Sequence, residues 1–213
     1  MRSREAYHRI KYIILPVLGI IFTALYIYAA SVDVVYSDYI RLINEYLPDV
    51  SDISKLLVPD ILTRIPMTFL ARLVNVLSFD YSVTFDRVLG LIGLILIAFG
   101  SAGYMYKMNI SFKWQLAFYI VLFSLNKWEI LLNGTSWPHL VSFGLFIIGY
   151  RLIDLVWTGE SDTREEFALC VLPLIMLLFA GEYIVSFACT LILVCAMGLL
   201  LGGANSIAPP SSK

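Results

Sequence analysis

From Tyr12 to Ser31 the chain is apolar and uncharged, long enough to cross a bilayer, which takes about 20 residues. Helix one is therefore expected at roughly Lys11 to Ala30. A long polar interval follows, from Asp33 to Arg87. The pattern then turns apolar again, with no charge between Arg87 and Lys107, and predicts helix two over Arg87 to Tyr106. Gly90, Gly93, Gly100 and Gly103 on it permit close helix contact. A third apolar stretch covers roughly Ser111 to Asn126, and a fourth Trp137 to Trp157 with Arg151 near its end. After the polar TGESDTREEF, Phe167 to Leu201 is apolar except for Glu182. At about 1.5 Å per residue that run is too long for one crossing, so it reads as two spans meeting at Gly181-Glu182-Tyr183. The pattern predicts an all-α, polytopic transmembrane helical bundle of about six spans. It forms a single transmembrane domain over residues 1–203, with a first outer loop at 31–86 and a disordered polar tail at 204–213.

The first loop has its own periodicity. Tyr39, Leu42, Ile43 and Tyr46 recur at helical spacing, with Asp38, Arg41 and Glu45 on the opposite face. This predicts a short amphipathic juxtamembrane helix from Asp38 to Leu47, ended by Pro48. A second is expected from Ser51 or Asp52, carrying Ile53, Leu56 and Leu57. Pro59 and Pro66 break the following stretch. Pro66 to Leu77 carries Arg72 and is too short to span, which points to an interfacial or re-entrant piece.

Composition supports a bilayer as the solvent. The chain is 60% hydrophobic and 15% charged, with a mean hydropathy of +0.83. An average soluble domain is about 45–50% apolar and about 25% charged. A net charge of −1 gives no basic field for nucleic acid. Cys170, Cys189 and Cys195 lie in apolar runs without metal spacing, and read as small helix- or lipid-facing residues. The basic start MRSREAYHRIK resembles that of a signal peptide, and YAASVD a cleavage site, but the run after it has the length of a retained first span. Arg2, Arg4, Arg9 and Lys11 before helix one place the amino terminus in the cytoplasm, with Lys107 and Lys113 on the same side.

Polar chemistry concentrates in two places. The interval from Asp33 to Arg87 holds eight of the sixteen acidic residues, interleaved with Arg41, Lys55, Arg64 and Arg72. NKWEILLNGTSWPH, between helices three and four, supplies Trp128, Glu129, Asn133, Trp137 and His139. Interfacial aromatic residues and a snorkelling Lys127 account for much of the second group without any site. Glu129 stands out, because carboxylates in apolar membrane surroundings are commonly functional, and Glu182 shares that status. Asn109-Ile110-Ser111 and Asn133-Gly134-Thr135 fit the N-glycosylation pattern. No nucleotide-binding glycine loop, H-E-x-x-H or G-x-S-x-G is present.

A first span followed by a long outer loop with an early acidic residue and surface-lying helices resembles the GT-C superfamily. These are polytopic membrane glycosyltransferases that use lipid-phosphate-linked sugars. Ser37-Asp38-Tyr39 matches their early carboxylate, with Asp33 the nearby rival. SKLLVPDILTRI is similar to a basic stretch of bacterial members through Lys55, Pro59 and Arg64, while an Asn-Glu-His-Arg type run is missing. NKWEILLNG is similar to their Gln-Trp-Glu-Asn…Gly run at Trp128, Glu129 and Gly134, without the Gln and the Asn. The resemblance covers roughly Tyr12 to Gly203. It implies a polyprenyl-phosphate-linked sugar as donor and a cell-surface polysaccharide or glycolipid as acceptor, at a bacterial plasma membrane. Asp38 or Asp33 would be the catalytic carboxylate. Arg41, Lys55, Arg64, Arg72, Trp128, Glu129 and His139 would bind substrate. A divalent cation is compatible with the resemblance and not demanded by it; no metal ligand set is assigned. Members of the superfamily are about twice this long, which leaves room for a membrane protein partner supplying further helices. The alternative reading is a non-catalytic polytopic protein, such as an assembly partner or flippase-like subunit.

Overall fold

The computed structural model describes residues 2–32, 40, 43, 50–57, 66–180 and 183–202. Helix α1 spans Arg2–Ala30 and carries Pro16 within it. A 3-10 turn at Ile53–Leu57 precedes α2, Pro66–Phe79. Then come α3, Val83–Lys107, and α4, Phe112–Leu122. Short α5, Trp128–Leu132, lies between 3-10 turns at Leu125–Lys127 and Gly134–Ser136. Helices α6, Trp137–Thr158, α7, Thr163–Ala180, and α8, Tyr183–Gly202, complete the bundle. The fold is all-helical, with no strand among the described residues.

Helices α3 and α6 form the most extensively packed pair. Two glycines set their approach. A Cβ at Gly93 would lie 2.6 Å from the Val141 amide nitrogen, and one at Gly144 2.6 Å from Leu96 Cβ. Without hydrophobic drive between helices in lipid, such close backbone contact is what holds them together. Around this pair, α1, α4 and α5 close one side through Leu94, Ala98, Tyr119, Phe123 and Leu131. The Tyr119 hydroxyl donates to the Ala98 carbonyl at 3.0 Å. On the other side α7 and α8 pack through Leu172, Met176 and Phe187 against Phe146.

The outward faces are apolar: Leu18, Ile21, Phe22 and Leu25 of α1 are exposed, as are Ile192 and Leu193 of α8. Helices that bond their own backbone and display such faces fit a bilayer, and the chain is a helical membrane protein. Four segments are long and apolar enough to cross: Ile10–Ala30, Val83–Lys107, Phe112–Leu132 and Gly134–Thr158. The pair α7 and α8 separates at the expected place, but neither helix meets the same measure. Helix α7 begins with Arg164, Glu165 and Glu166, and the apolar part of α8 is the shorter Ile184–Met197.

Two boundaries differ from the sequence reading. The third span is interrupted after Leu122, where Ser124 Oγ accepts the Asn126 amide at 3.2 Å and starts a 3-10 turn. The polar interval also ends earlier: Asp86 and Arg87 belong to α3, because buried partners neutralise or bond them. In the first loop, Ile40 and Ile43 are helical, and Ile53–Leu57 forms a 3-10 turn in place of a second α-helix.

Candidate functional site at the Arg87 end of the bundle

The bundle has two polar ends. At one, Lys107 pairs with Asp154 and Glu160, both at 2.9 Å. There too the Tyr12 hydroxyl donates to the Ile110 carbonyl at 3.2 Å, tying the start of α1 to the turn after α3. The other end contains the joint between α2 and α3, the exit of α1, and α5 with the start of α6.

That joint is built from a short run of polar residues. After Phe79, Asp80 and Tyr81 take left-handed backbone conformations, with φ of 51° and 62°. Such conformations are uncommon outside glycine and persist when surroundings hold them. Asn75 does so: its amide nitrogen donates to the Ser82 carbonyl at 3.0 Å, and its oxygen accepts from the Ser82 amide at 2.9 Å. The same amide nitrogen donates to Asp86 Oδ2 at 3.2 Å, and Arg72 Nη1 forms an ion pair with that oxygen. Arg72, Asn75 and Asp86 are all buried. The Arg72 guanidinium also lies 5.8 Å from the Tyr81 ring centre. A paired, hydrogen-bonded charge set of this kind locks α2 onto α3.

One residue further on, Arg87 is 4% exposed. Its Nε donates to the Leu132 carbonyl at 2.9 Å and its Nη2 to the Val32 carbonyl at 3.0 Å. A single side chain thus joins the exit of α1, the start of α3 and the end of α5. Next to it, Asn133 is buried, and its side-chain oxygen accepts from the Thr135 amide at 3.4 Å and hydroxyl at 3.2 Å. The burial of Asn133 disfavours it as a glycosylation acceptor in the folded chain. Pro138 opens α6, where a missing N–H costs nothing.

An apolar crevice of about 480 Å³ runs between α2, α3, α6 and α7. Met67, Val74, Leu89, Trp137, Val141 and Phe179 are among its walls.

The expected site residues divide as follows. Asp33, Asp38, Arg41 and Arg64 lie outside the described residues, as does Glu182; Lys55 falls in the 3-10 turn, its side chain outside them. Trp128 and Glu129 are exposed on α5, and His139 is half-buried in the first turn of α6. Arg72 has Asp86 as an internal partner instead of an open face. The structure brings the second polar stretch, Trp128 to His139, to the point where α1 hands over to the first loop at Val32. Sequence reasoning missed Asp86 and Arg87 as site residues, since charges at a span's edge read as boundary markers. A turn-forming Asp80-Tyr81-Ser82 between Arg72 and Asp86 was the available signal. Among the described residues no group of three or more His, Cys, Asp or Glu could hold a metal ion. The donor set for the divalent cation compatible with the resemblance is thus not assembled there.

Compared with known proteins, the chain matches no family model, and no curated protein or solved structure matches it.

Proposed function

We propose that this chain is, or forms the amino-terminal part of, an integral membrane glycosyltransferase with six spans and a cytoplasmic amino terminus in a bacterial plasma membrane. The donor is a sugar on a polyprenyl phosphate, and the acceptor a hydroxyl of a surface polysaccharide or glycolipid. Asp38, or Asp33 in its place, takes the proton of the acceptor hydroxyl as a general base. The acceptor oxygen bonds to the anomeric carbon, and the bond from that carbon to the phosphate oxygen breaks. The phosphate leaves with the electron pair, steadied by Arg41, Lys55 and Arg64. Trp128 stacks on the sugar, and Glu129 and His139 border the acceptor. The apolar crevice between α2, α3, α6 and α7 suits a hydrocarbon chain. A partner membrane protein supplying further helices fits the same reading.

The observation that carries this reading is the bridge made by Arg87 between Val32 and Leu132. It holds the exit of α1, which leads toward Asp33 and Asp38, against the end of α5, the helix that carries Trp128 and Glu129. Asp38→Asn tests the reading directly. In membranes given a radiolabelled polyprenyl-phosphate sugar and acceptor, transfer should fall at least about a hundredfold, within the range of a lost general base. Insertion and expression should be unchanged. Undiminished transfer removes Asp38 from the mechanism.

A further inference from the structure

Helix α6 lies between α3 and α7: Gly93 and Gly144 bring it against α3, and the Ser142 hydroxyl donates to the Phe179 carbonyl of α7 at 3.3 Å. On one side these three helices stay apart, and α2 closes the gap with Ala71 and Val74. The result is an apolar slot of about 480 Å³ whose wall on α3 runs from Phe85 to Leu96. At 1.5 Å per residue that wall is about 16 Å long, close to one leaflet of a hydrocarbon core about 30 Å thick. The mean cross-section is then about 30 Å², against about 80 Å² for a helix about 10 Å across. A further helix is too wide for the slot, and a single extended hydrocarbon chain fits it. Val74, Ile92 and Ile175 of its lining are exposed, so it opens onto the lipid-facing surface. Beside fluid hydrocarbon such a space fills, because an empty one forfeits the contacts of its walls.

Trp137 carries the only nitrogen or oxygen among the side chains of this lining. It stands at the Arg87 end of the slot, is 3% exposed, and its indole Nε1 has no hydrogen-bond partner. A buried N–H normally finds an acceptor. We infer that the slot holds an acyl chain of a bilayer glycerophospholipid, with Trp137 Nε1 donating to the ester carbonyl at the head of that chain. A neutral donor at the top of an apolar slot matches a neutral carbonyl, at the depth where tryptophan rings gather in membranes. No charged side chain lines the slot, so it selects for the chain and its ester and not for the phosphate beyond them. The inference goes beyond glycosyl transfer and does not need it. Its test contains no sugar and no acceptor, so the outcome at Asp38 does not bear on it.

The test uses the full chain in detergent micelles, titrated with phosphatidylcholine brominated on its acyl chains. Trp114→Phe, Trp128→Phe and Trp157→Phe together leave Trp137 as the sole fluorophore. Bromine quenches indole fluorescence at close range, so quenching should saturate at a single lipid per protein chain. Ala71→Phe, whose ring occupies the slot, should remove the saturable part. Phosphatidylcholine with ether-linked chains lacks the carbonyl and should bind about threefold to tenfold more weakly, the equivalent of one neutral hydrogen bond. In Trp137→Phe, followed with radiolabelled lipid, ester and ether forms should bind alike. Quenching that rises without saturating, or that is undiminished in Ala71→Phe, overturns the inference. Displacement of the phospholipid by equimolar polyprenyl phosphate assigns the slot to a prenyl chain and overturns it equally. Should Ala71→Phe not fold, ester against ether binding by the unsubstituted chain decides, and equal affinity for the two overturns the inference.

Discussion

At the scale of single residues, the buried pair of Arg72 and Asp86 ties α2 to the first turn of α3, one residue before Arg87. Asp86 is fully buried and accepts from both Arg72 and Asn75. Removing one partner leaves the other charge in the interior, at a cost of about 3–5 kcal/mol, whereas exchanging both for apolar groups is often neutral. Arg72→Met should therefore destabilise the chain strongly in detergent unfolding titrations, and Arg72→Met with Asp86→Leu should recover most of the loss. If the double variant is as unstable as the single, the pair is not acting as an ion pair. Neither residue's burial was legible from the sequence. Arg72 stood in an apolar stretch and Asp86 beside an apolar span, and a one-dimensional pattern places both at a membrane surface. Only the reversal of the chain at Asp80 and Tyr81 makes them face each other.

At the scale of helices, four of the about six expected spans recur as segments long and apolar enough to cross, because apolar length is nearly sufficient to define them. Helix α6 was expected from Trp137 to Trp157 and runs Trp137–Thr158. The interruption after Leu122 was not legible, since a serine-started turn inside an apolar run leaves the hydropathy almost unchanged. The four glycines of α3 were expected to act alike, and they do not. Gly93 lies against the α6 backbone at Val141 and Leu140, while a Cβ at Gly90 would meet Leu140 Cδ1 only at 3.8 Å. Gly93→Ala should force the helices apart and destabilise by about 1–3 kcal/mol, as overpacking does. Gly90→Ala should be neutral or stabilising by about 0.5–1 kcal/mol, because alanine loses less backbone freedom in a helix. Equal responses in the same unfolding titration would mean that α3 and α6 do not pack at Gly93.

For the whole molecule, the open question of chemistry reduces to which side of the membrane each polar end faces. The Arg87 end includes Ser78 and the start of α6, and the Lys107 end includes Thr163 at the start of α7. Four crossings would already separate those ends, because α3 and α6, both long and apolar enough to cross, run from one end to the other. The last two helices decide the count. Helix α7 starts with charge at the Lys107 end and runs for 18 residues to Ala180, so a full crossing would bring residue 182 to the Arg87 side. After replacement of Cys170, Cys189 and Cys195, single cysteines at Ser78, Thr163 and Glu182 can be probed with a maleimide that does not cross membranes. Six spans require Ser78→Cys and Glu182→Cys to label from outside intact cells, and Thr163→Cys only after permeabilisation. A four-span chain would leave Glu182→Cys unlabelled from outside. Labelling of Ser78→Cys only from the cytosol would invert the bundle. The acidic loop and Arg87 would then face away from any surface acceptor, which leaves glycosyl transfer to the cell surface without a site.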